Sequence, residues 1–357
     1  MYTRFPCTVQ NQTFHSLSDL QTHASNLMDA SEEWEKTIWQ QILRWSDPKL
    51  DNMQIQSSGS TGKPSLHTHK KVHMLASAQA TIHYFSITEN ALLLCLPSDK
   101  IGGLMMIVRA LSAGLPLLYV KPSGTIEIPK SQPIALIAVT PHQASKTLGS
   151  VSTNELQLIT NWLIGGAGVS NDLVKLICSK EIQAYESFGM TETISHIALR
   201  QIQSEMKPFE ALEHVQISID ESNQTLRINS ESLGISNLAT HDVIEMTKDN
   251  CFFRKGRTDF VINTGGIKIH PEELEKKIAG KIAFPYFVAG KKDTVWGQRP
   301  ILICETDGPD TELYKKLNTQ LSGPEKLAGQ INIHSFVYTS NGKIARLQTL
   351  ALIDDLC

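Results

Sequence analysis

The sequence predicts an α/β fold: a large N-terminal domain with mostly parallel sheets flanked by helices, plus a small C-terminal α+β domain. Three observations lead there. Short apolar runs recur at 91–97 (ALLLCLP), 115–120 (LPLLYV) and 134–140 (IALIAVT), each ending at a polar or proline-containing turn. Between them, residues 70–86 and 102–113 have helical length and good helix formers. After about residue 205 the texture changes to alternating apolar and polar residues.

Each element follows from its own residues. Parallel strands covered by helices on both faces read as continuous apolar runs, and their alternation with helices points to βαβ units. Residues 156–168 (LQLITNWLIGGAG) read as a helix or turn feeding a strand that breaks at glycines. Residues 215–219 and 225–229 alternate about the turn 220–224, as an antiparallel hairpin does. From Arg257 onward, strand-like and helical segments alternate over roughly a hundred residues, enough for a small domain. Within it, Pro271 followed by glutamates opens a helix. The 357 residues fit about two domains of ~150 each, divided here as 1–256 and 257–357.

Composition excludes several classes. Hydrophobic residues make up 41% and charged residues 19%, a globular balance. A formal net charge of -3 argues against a dedicated nucleic-acid binder, which needs clustered Lys and Arg to neutralise phosphates. The six cysteines are scattered without a CxxC pair and read as free thiols in a reducing compartment. The first residues, MYTRFPCTVQNQTF, lack the apolar core of a signal peptide. The apolar stretch 101–120 contains Arg109, three glycines and Pro116, and reads as a buried helix, turn and strand instead of a membrane span. A soluble cytoplasmic protein is expected.

Five segments carry chemistry. Ser57, Ser58, Gly59, Ser60, Thr61, Gly62, Lys63 and Pro64 supply four hydroxyls, two glycines and a lysine in eight residues. Such a loop can wrap a polyphosphate with backbone N–H groups and hydroxyls; alone it reads also as a flexible linker. It is not a Walker A loop, since Ser57 stands where that pattern needs Gly and Pro64 where it needs Ser or Thr. Next, Gly165-Gly166-Ala167-Gly168 fails as a dinucleotide fingerprint, with Asn171 in the third glycine's place, and fits either a flat ligand or a simple turn. In the third segment, 185–193 (YESFGMTET), Glu192 follows a hydroxyl and a turn glycine, a place for a magnesium-directing carboxylate or for a capped helix start. The fourth runs from Gly256-Arg257-Thr258-Asp259 through Gly265-Gly266-Ile267-Lys268 to Glu275. In the fifth, Asn341-Gly342 makes a turn that holds out Lys343.

In this order the five segments resemble the adenylate-forming superfamily of acyl-CoA synthetases, luciferases and peptide-synthetase adenylation domains. The resemblance covers most of the chain, from the hydroxyl-rich loop to the final lysine. It implies an ATP-dependent acyl-CoA ligase working through an acyl-adenylate, with ATP, Mg²⁺ and coenzyme A as cofactor and co-substrates and a small carboxylic acid as partner. By the resemblance, residues 57–63 clasp the ATP phosphates, and Gly166 belongs to the nucleotide site. Thr191 and Glu192 contact the α-phosphate and the metal. Asp242, in Thr240-His241-Asp242, binds the ribose, and Arg257 adds a second contact. Asp259 is the hinge about which a mobile C-terminal lid turns. Gly265, Gly266 and Lys268 enter the site for thioester formation, and Lys343 bridges the acyl carboxylate and the phosphates.

Residues 96–104 and 189–200 are most similar to the o-succinylbenzoate–CoA ligases of menaquinone synthesis. That implies an acyl site including Lys100, Gly189, Ser195 and His196, with Arg200 as a further cation. Alternatives are a ligase for another aryl or short-chain acid and a non-catalytic nucleotide-binding relative. The chain departs from the family pattern at Ser65, at His241 and at Val337. Only 56 residues precede Ser57, so a shortened N-terminal domain is expected. The histidines of 67–73 read as the polar face of a helix following the hydroxyl-rich loop, with His69 and His73 spaced i, i+4 and no third ligand at zinc spacing.

Overall fold

The computed structural model describes residues 2–28, 31–57, 65–308, 312–339 and 344–353. They fall into two compact units. One comprises residues up to Gln216 together with Asn229–Ser236; the other comprises Ile217–Ile228 and the residues from Asn237 onward.

The first unit is an α/β layer. Its strands lie in the order Phe209–Ala211, His196–Gln201, Ala184–Gly189, Ile159–Ile164, Ile134–Val139, Ala91–Leu94, Leu117–Tyr119, Cys7–Val9, Gln12–Phe14. The six from Ala184–Gly189 to Cys7–Val9 run parallel. All four residues of Ala91–Leu94 and all six of Ile134–Val139 are buried, which explains their unbroken apolar runs. Helices Ile101–Ala113, Pro141–Ser150 and Asn171–Ser179 each follow one of these strands. Trp162, Ile137, Leu148 and Ile177 meet in the core on one side of the sheet. The strand ends then turn into Gly165–Gly168 and into the Met190–Glu192 segment, so the sheet delivers both candidate segments to its carboxyl edge.

The second unit holds the strands Gln216–Asp220, Thr225–Ser230, Ile235–Lys248 and Cys251–Arg257 side by side. A second small sheet follows, Ile267–Ile269, Ile262–Thr264, Gly297–Glu305 and Tyr286–Asp293, with Gln330–Ile333 parallel to Gly297–Glu305. Helix Pro271–Ile278 buries Leu274 and Ile278 against it, with Pro271 in its first turn as expected. The α/β and α+β textures anticipated from the sequence are both present.

One reading is corrected. His67 and His69 lie on the strand Ser65–Lys70, which pairs antiparallel with Asn52–Ser57, and the helix begins only at Lys71. Strand pairing governs these residues, so His69 and His73 do not share a helical face. Lys71 explains the boundary: wholly buried, its Nζ donates to the carbonyls of Trp45 and Asp47 at 2.9 and 2.8 Å, at the C-terminal end of helix Glu33–Ser46.

Close backbone approach fixes the start of helix Ile101–Ala113. A Cβ on Gly103 would lie 2.2 Å from the Pro97 carbonyl oxygen. Gly103→Ala is therefore expected to lower unfolding free energy by about 1–3 kcal/mol. Gly149→Ala, in a helix with nothing within 4 Å of the added carbon, should raise it by about 0.5–1 kcal/mol. Denaturant titration of the two variants checks the contrast.

Candidate active site

In the first unit the turn Thr191–Thr193 follows the strand Ala184–Gly189, and the chain returns as His196–Gln201 antiparallel to it. The return runs so close that a Cβ on Gly189 would sit 2.3 Å from the Ser195 carbonyl oxygen and 2.5 Å from His196 Cα. Glycine is obligatory there. Thr193 ties the turn: its hydroxyl accepts the Met190 N–H at 3.0 Å and lies 2.8 Å from the Ser195 carbonyl oxygen. Glu192 is exposed, and no ion pair engages its carboxylate among the described residues. A free carboxylate beside a threonine hydroxyl at a strand's carboxyl end is chemically suited to a hard divalent cation.

The neighbouring loop is held from beneath. Glu186 accepts from Arg200 at 2.6 and 2.8 Å and from the Val169 N–H at 3.4 Å. Arg200 is also stacked over Phe209. Arg200 is thus spent on organising the Gly165–Gly168 loop and is not a free cation for a ligand. Gly165 passes against Ser187, where a Cβ would meet Oγ at 2.2 Å. Gly166 adopts φ 88° with open space beside it, an exposed backbone edge.

Ser195 and His196 belong to a buried polar chain. Arg109, 1% exposed on helix Ile101–Ala113, donates through Nη2 to Ser195 Oγ at 2.7 Å. Ser195 Oγ lies 3.3 Å from His196 Nδ1, and His196 Nε2 lies 3.3 Å from Thr81 Oγ1, which donates to the Ser77 carbonyl. One direction of donation gives each of these bonds a donor and an acceptor, from Arg109 through Ser195 and His196 to Thr81. Arg109 has no carboxylate partner among the described residues, and its Nε is buried without an acceptor. Burial pulls its proton affinity down to about 9, which leaves it charged at neutral pH. Burial first, then the Arg109 charge, holds His196 well below the usual histidine range. Ser195 alone of this set is partly accessible, so it presents the Arg109 charge at the surface.

His69 joins the site from the strand Ser65–Lys70. Burial, and then the nearby His67, lowers its proton affinity, while the Thr191 backbone and the Glu192 charge act in the opposite direction. Its Nε2 is buried without a partner. Lys100, at the start of helix Ile101–Ala113, pairs with Asp99 at 3.2 Å. Ser57 ends the strand Asn52–Ser57 opposite Ser65. Ser58, Gly59, Ser60, Thr61, Gly62 and Lys63 lie outside the described residues, as does Lys343.

The second unit gathers its own charges. Asp242 is 5% exposed and accepts from Arg254 at 2.7 Å, with Arg257 Nη1 3.7 Å from its other oxygen. Arg257 in turn reaches Asp259 at 2.7 Å, and His241 Nδ1 stands 3.0 Å from the same carboxylate. Gly265 and Gly266 take φ 57° and 84°; the Trp296 ring lies where a Gly265 side chain would start, 2.6 Å away. Lys268 is exposed on Ile267–Ile269. Arg346, three residues beyond Lys343 in sequence, is paired with half-buried Glu275 at 2.7 Å and stacked on Phe260 and Phe287.

Against this geometry, the family model for AMP-binding enzymes matches residues 12–225. The chain belongs to that family. It is an enzyme of the adenylate-forming acyl-CoA ligase class. Among curated relatives of this AMP-binding enzyme, the 2-succinylbenzoate–CoA ligase of Staphylococcus epidermidis is 27% identical over 320 residues, covering 81% of this chain and 67% of the relative. Among solved structures, an acyl-CoA synthetase (AMP-forming)/AMP-acid ligase II-like protein from Dyadobacter fermentans is 26% identical with a TM-score of 0.58, covering 92% of this chain and 97% of that one. The o-succinylbenzoate coenzyme A synthetase of Bacillus subtilis, solved with ATP and magnesium ion, shares the fold at a TM-score of 0.73 and 17% identity, over 93% and 82% of the two chains. Among the described residues, no helix is long and apolar enough to cross a membrane.

Arg109, Thr193, His69 and Thr81 are the residues that sequence reasoning missed in this AMP-binding enzyme. Only Arg109 left a signal, as the one charge within the apolar run 101–113. His196 yields a test by pH. Its folded-state affinity is depressed, so below pH ~6.5 the unfolded chain takes up a proton that the folded chain refuses. Stability then falls with falling pH, by up to about 1.4 kcal/mol per unit for this one group. His196→Gln should flatten the acid limb of a melting-temperature–pH profile; an unchanged slope contradicts the assignment.

Proposed function

We propose that this enzyme converts o-succinylbenzoate to its CoA thioester in menaquinone synthesis, through an acyl-adenylate and with release of pyrophosphate and AMP. The observation carrying the substrate is Arg109, a buried guanidinium with no acid beside it among the described residues, presented through Ser195. Such a group is matched to a second carboxylate on the substrate, which a simple aryl acid lacks. The relatives named 2-succinylbenzoate–CoA ligase support the same reading.

The chain's residues divide the work. The hydroxyl-rich loop 57–63 is assigned the ATP phosphates. Gly166 is assigned to the base, and Asp242 with Arg257 to the ribose. Glu192 and Thr191 have the donor set to hold Mg²⁺, which when bound neutralises polyphosphate charge. The acyl carboxylate attacks the α-phosphorus and pyrophosphate departs, so two anions must be brought together. Lys343 is assigned the growing negative charge at that step. Gly189 leaves the acyl site its narrow wall, with Ser195, His196 and Lys100 around it. Coenzyme A then attacks the acyl carbon and AMP leaves. For this second half-reaction the lid, 257–357, turns about Asp259 and brings in Gly265, Gly266 and Lys268. The reaction places the enzyme in the cytoplasm, where ATP and CoA are available.

The test is pyrophosphate release and thioester formation with ATP, Mg²⁺ and CoA, offering o-succinylbenzoate, benzoate and acetate. Turnover of o-succinylbenzoate in strong preference to the others is expected. Arg109→Met should raise its KM by about 10²-fold, since losing a charged hydrogen-bonding partner costs roughly 1.5–3 kcal/mol. Turnover with another acid alone would discard the substrate, and no turnover with any acid would discard the catalytic reading.

A further inference from the structure

The segment that joins Glu192 to Ser195 has a backbone few residues adopt. Ile194 has φ 68° and ψ -48°, and the Ser195 N–H donates to the Thr193 carbonyl at 2.7 Å. That is a γ-turn of the rare positive-φ kind, and the residue at its centre is β-branched. Such a conformation persists only where its surroundings over-determine it. Here they do. Ile194 is 2% exposed and Thr193 wholly buried. The Thr193 hydroxyl grips the Met190 N–H and stands within hydrogen-bond distance of the carbonyls of Met190 and Ser195, at both ends of the turn. Gly189 lets the returning backbone pass at a distance no side chain allows.

The turn separates two unlike pieces of chemistry by one residue pair. On one side stand Thr191 and the free carboxylate of Glu192. On the other stands Ser195, its Oγ held 2.7 Å from Arg109. A looser link would let these ends drift independently, and a substrate bridging them would then lose alignment.

We infer that Thr193 and Ile194 are specificity-determining positioning residues: the clamped γ-turn sets the span between the phosphate end of the site and its second anion subsite. The inference rests on the reading of Arg109 and Ser195 as that subsite. It makes the enzyme a gauge for the distance between the carboxylate that reacts and the one that does not.

Kinetics on the full chain test it, comparing o-succinylbenzoate with the monomethyl ester of its aromatic carboxyl, which keeps the succinyl carboxylate that is adenylated and lacks the second charge. Ile194→Gly removes the buried side chain that anchors the turn and lets the backbone sample other conformations, and Thr193→Val removes the clamp. Both should lower the ratio of kcat/KM for diacid over ester by about tenfold, mostly through the diacid's KM. Thr193→Ser, which keeps the hydroxyl, should restore the ratio and covers the case in which Thr193→Val fails to fold. Equal losses on both acids would show a merely structural turn and overturn the inference. Arg109→Lys separates the two readings. If it shifts the ratio while the turn variants do not, the turn inference alone falls. If neither shifts it, or the unaltered chain does not turn over o-succinylbenzoate, the anion subsite and the inference fall together.

Discussion

Burying a guanidinium without an acid costs free energy, which hydrogen-bond acceptors or an arriving anion must offset. Arg109 is in that position. Its helix carries buried Leu104, Met105, Met106, Ile107 and Val108 around it, so the residue cannot leave for water without unpacking the sheet's covering layer. The protein's answer is a single hydroxyl, Ser195 Oγ, and a weak contact of Nη1 with the Met106 sulfur at 3.6 Å. Among the described residues its Nε is left without an acceptor. In the proposed function, the substrate's second carboxylate compensates the Arg109 charge through Ser195.

Much of the surrounding design follows from holding Ser195 in place. Gly189 has no side chain because the Ser195–His196 backbone occupies its room. Thr193 is buried because its hydroxyl closes the turn. His196 is kept neutral by burial and by Arg109 itself, so it can accept from Ser195 through one ring nitrogen and donate to Thr81 through the other. Each residue is ordinary alone, and their common requirement is a fixed Ser195.

The fold was legible because its strands are buried on both faces. ALLL and IALIAV carry the apolar signature that periodicity detects, and Pro271 and the Asp220–Gln224 turn obey local rules. The motif segments were legible because loop chemistry is written in consecutive residues. The acyl site was less so. Arg109 and Ser195 are separated by 86 residues, and their meeting depends on strand order that the sequence does not spell out. His67 and His69 were misread as helical because strand pairing with Asn52–Ser57 outweighs the local pattern. Arg200 looked available in sequence, yet Glu186, fourteen residues earlier, engages it.

The central claim is that Arg109 and Ser195 receive the substrate's non-reacting carboxylate as an anion. Carbon-13 NMR of bound o-succinylbenzoate, labelled at the aromatic carboxyl carbon and titrated with pH, addresses it directly. The account predicts a resonance shifted from the free acid, with the carboxyl titrating below its free value because Arg109 favours its charged form. A resonance that titrates as in free solution, or a carboxyl that binds protonated, would contradict it.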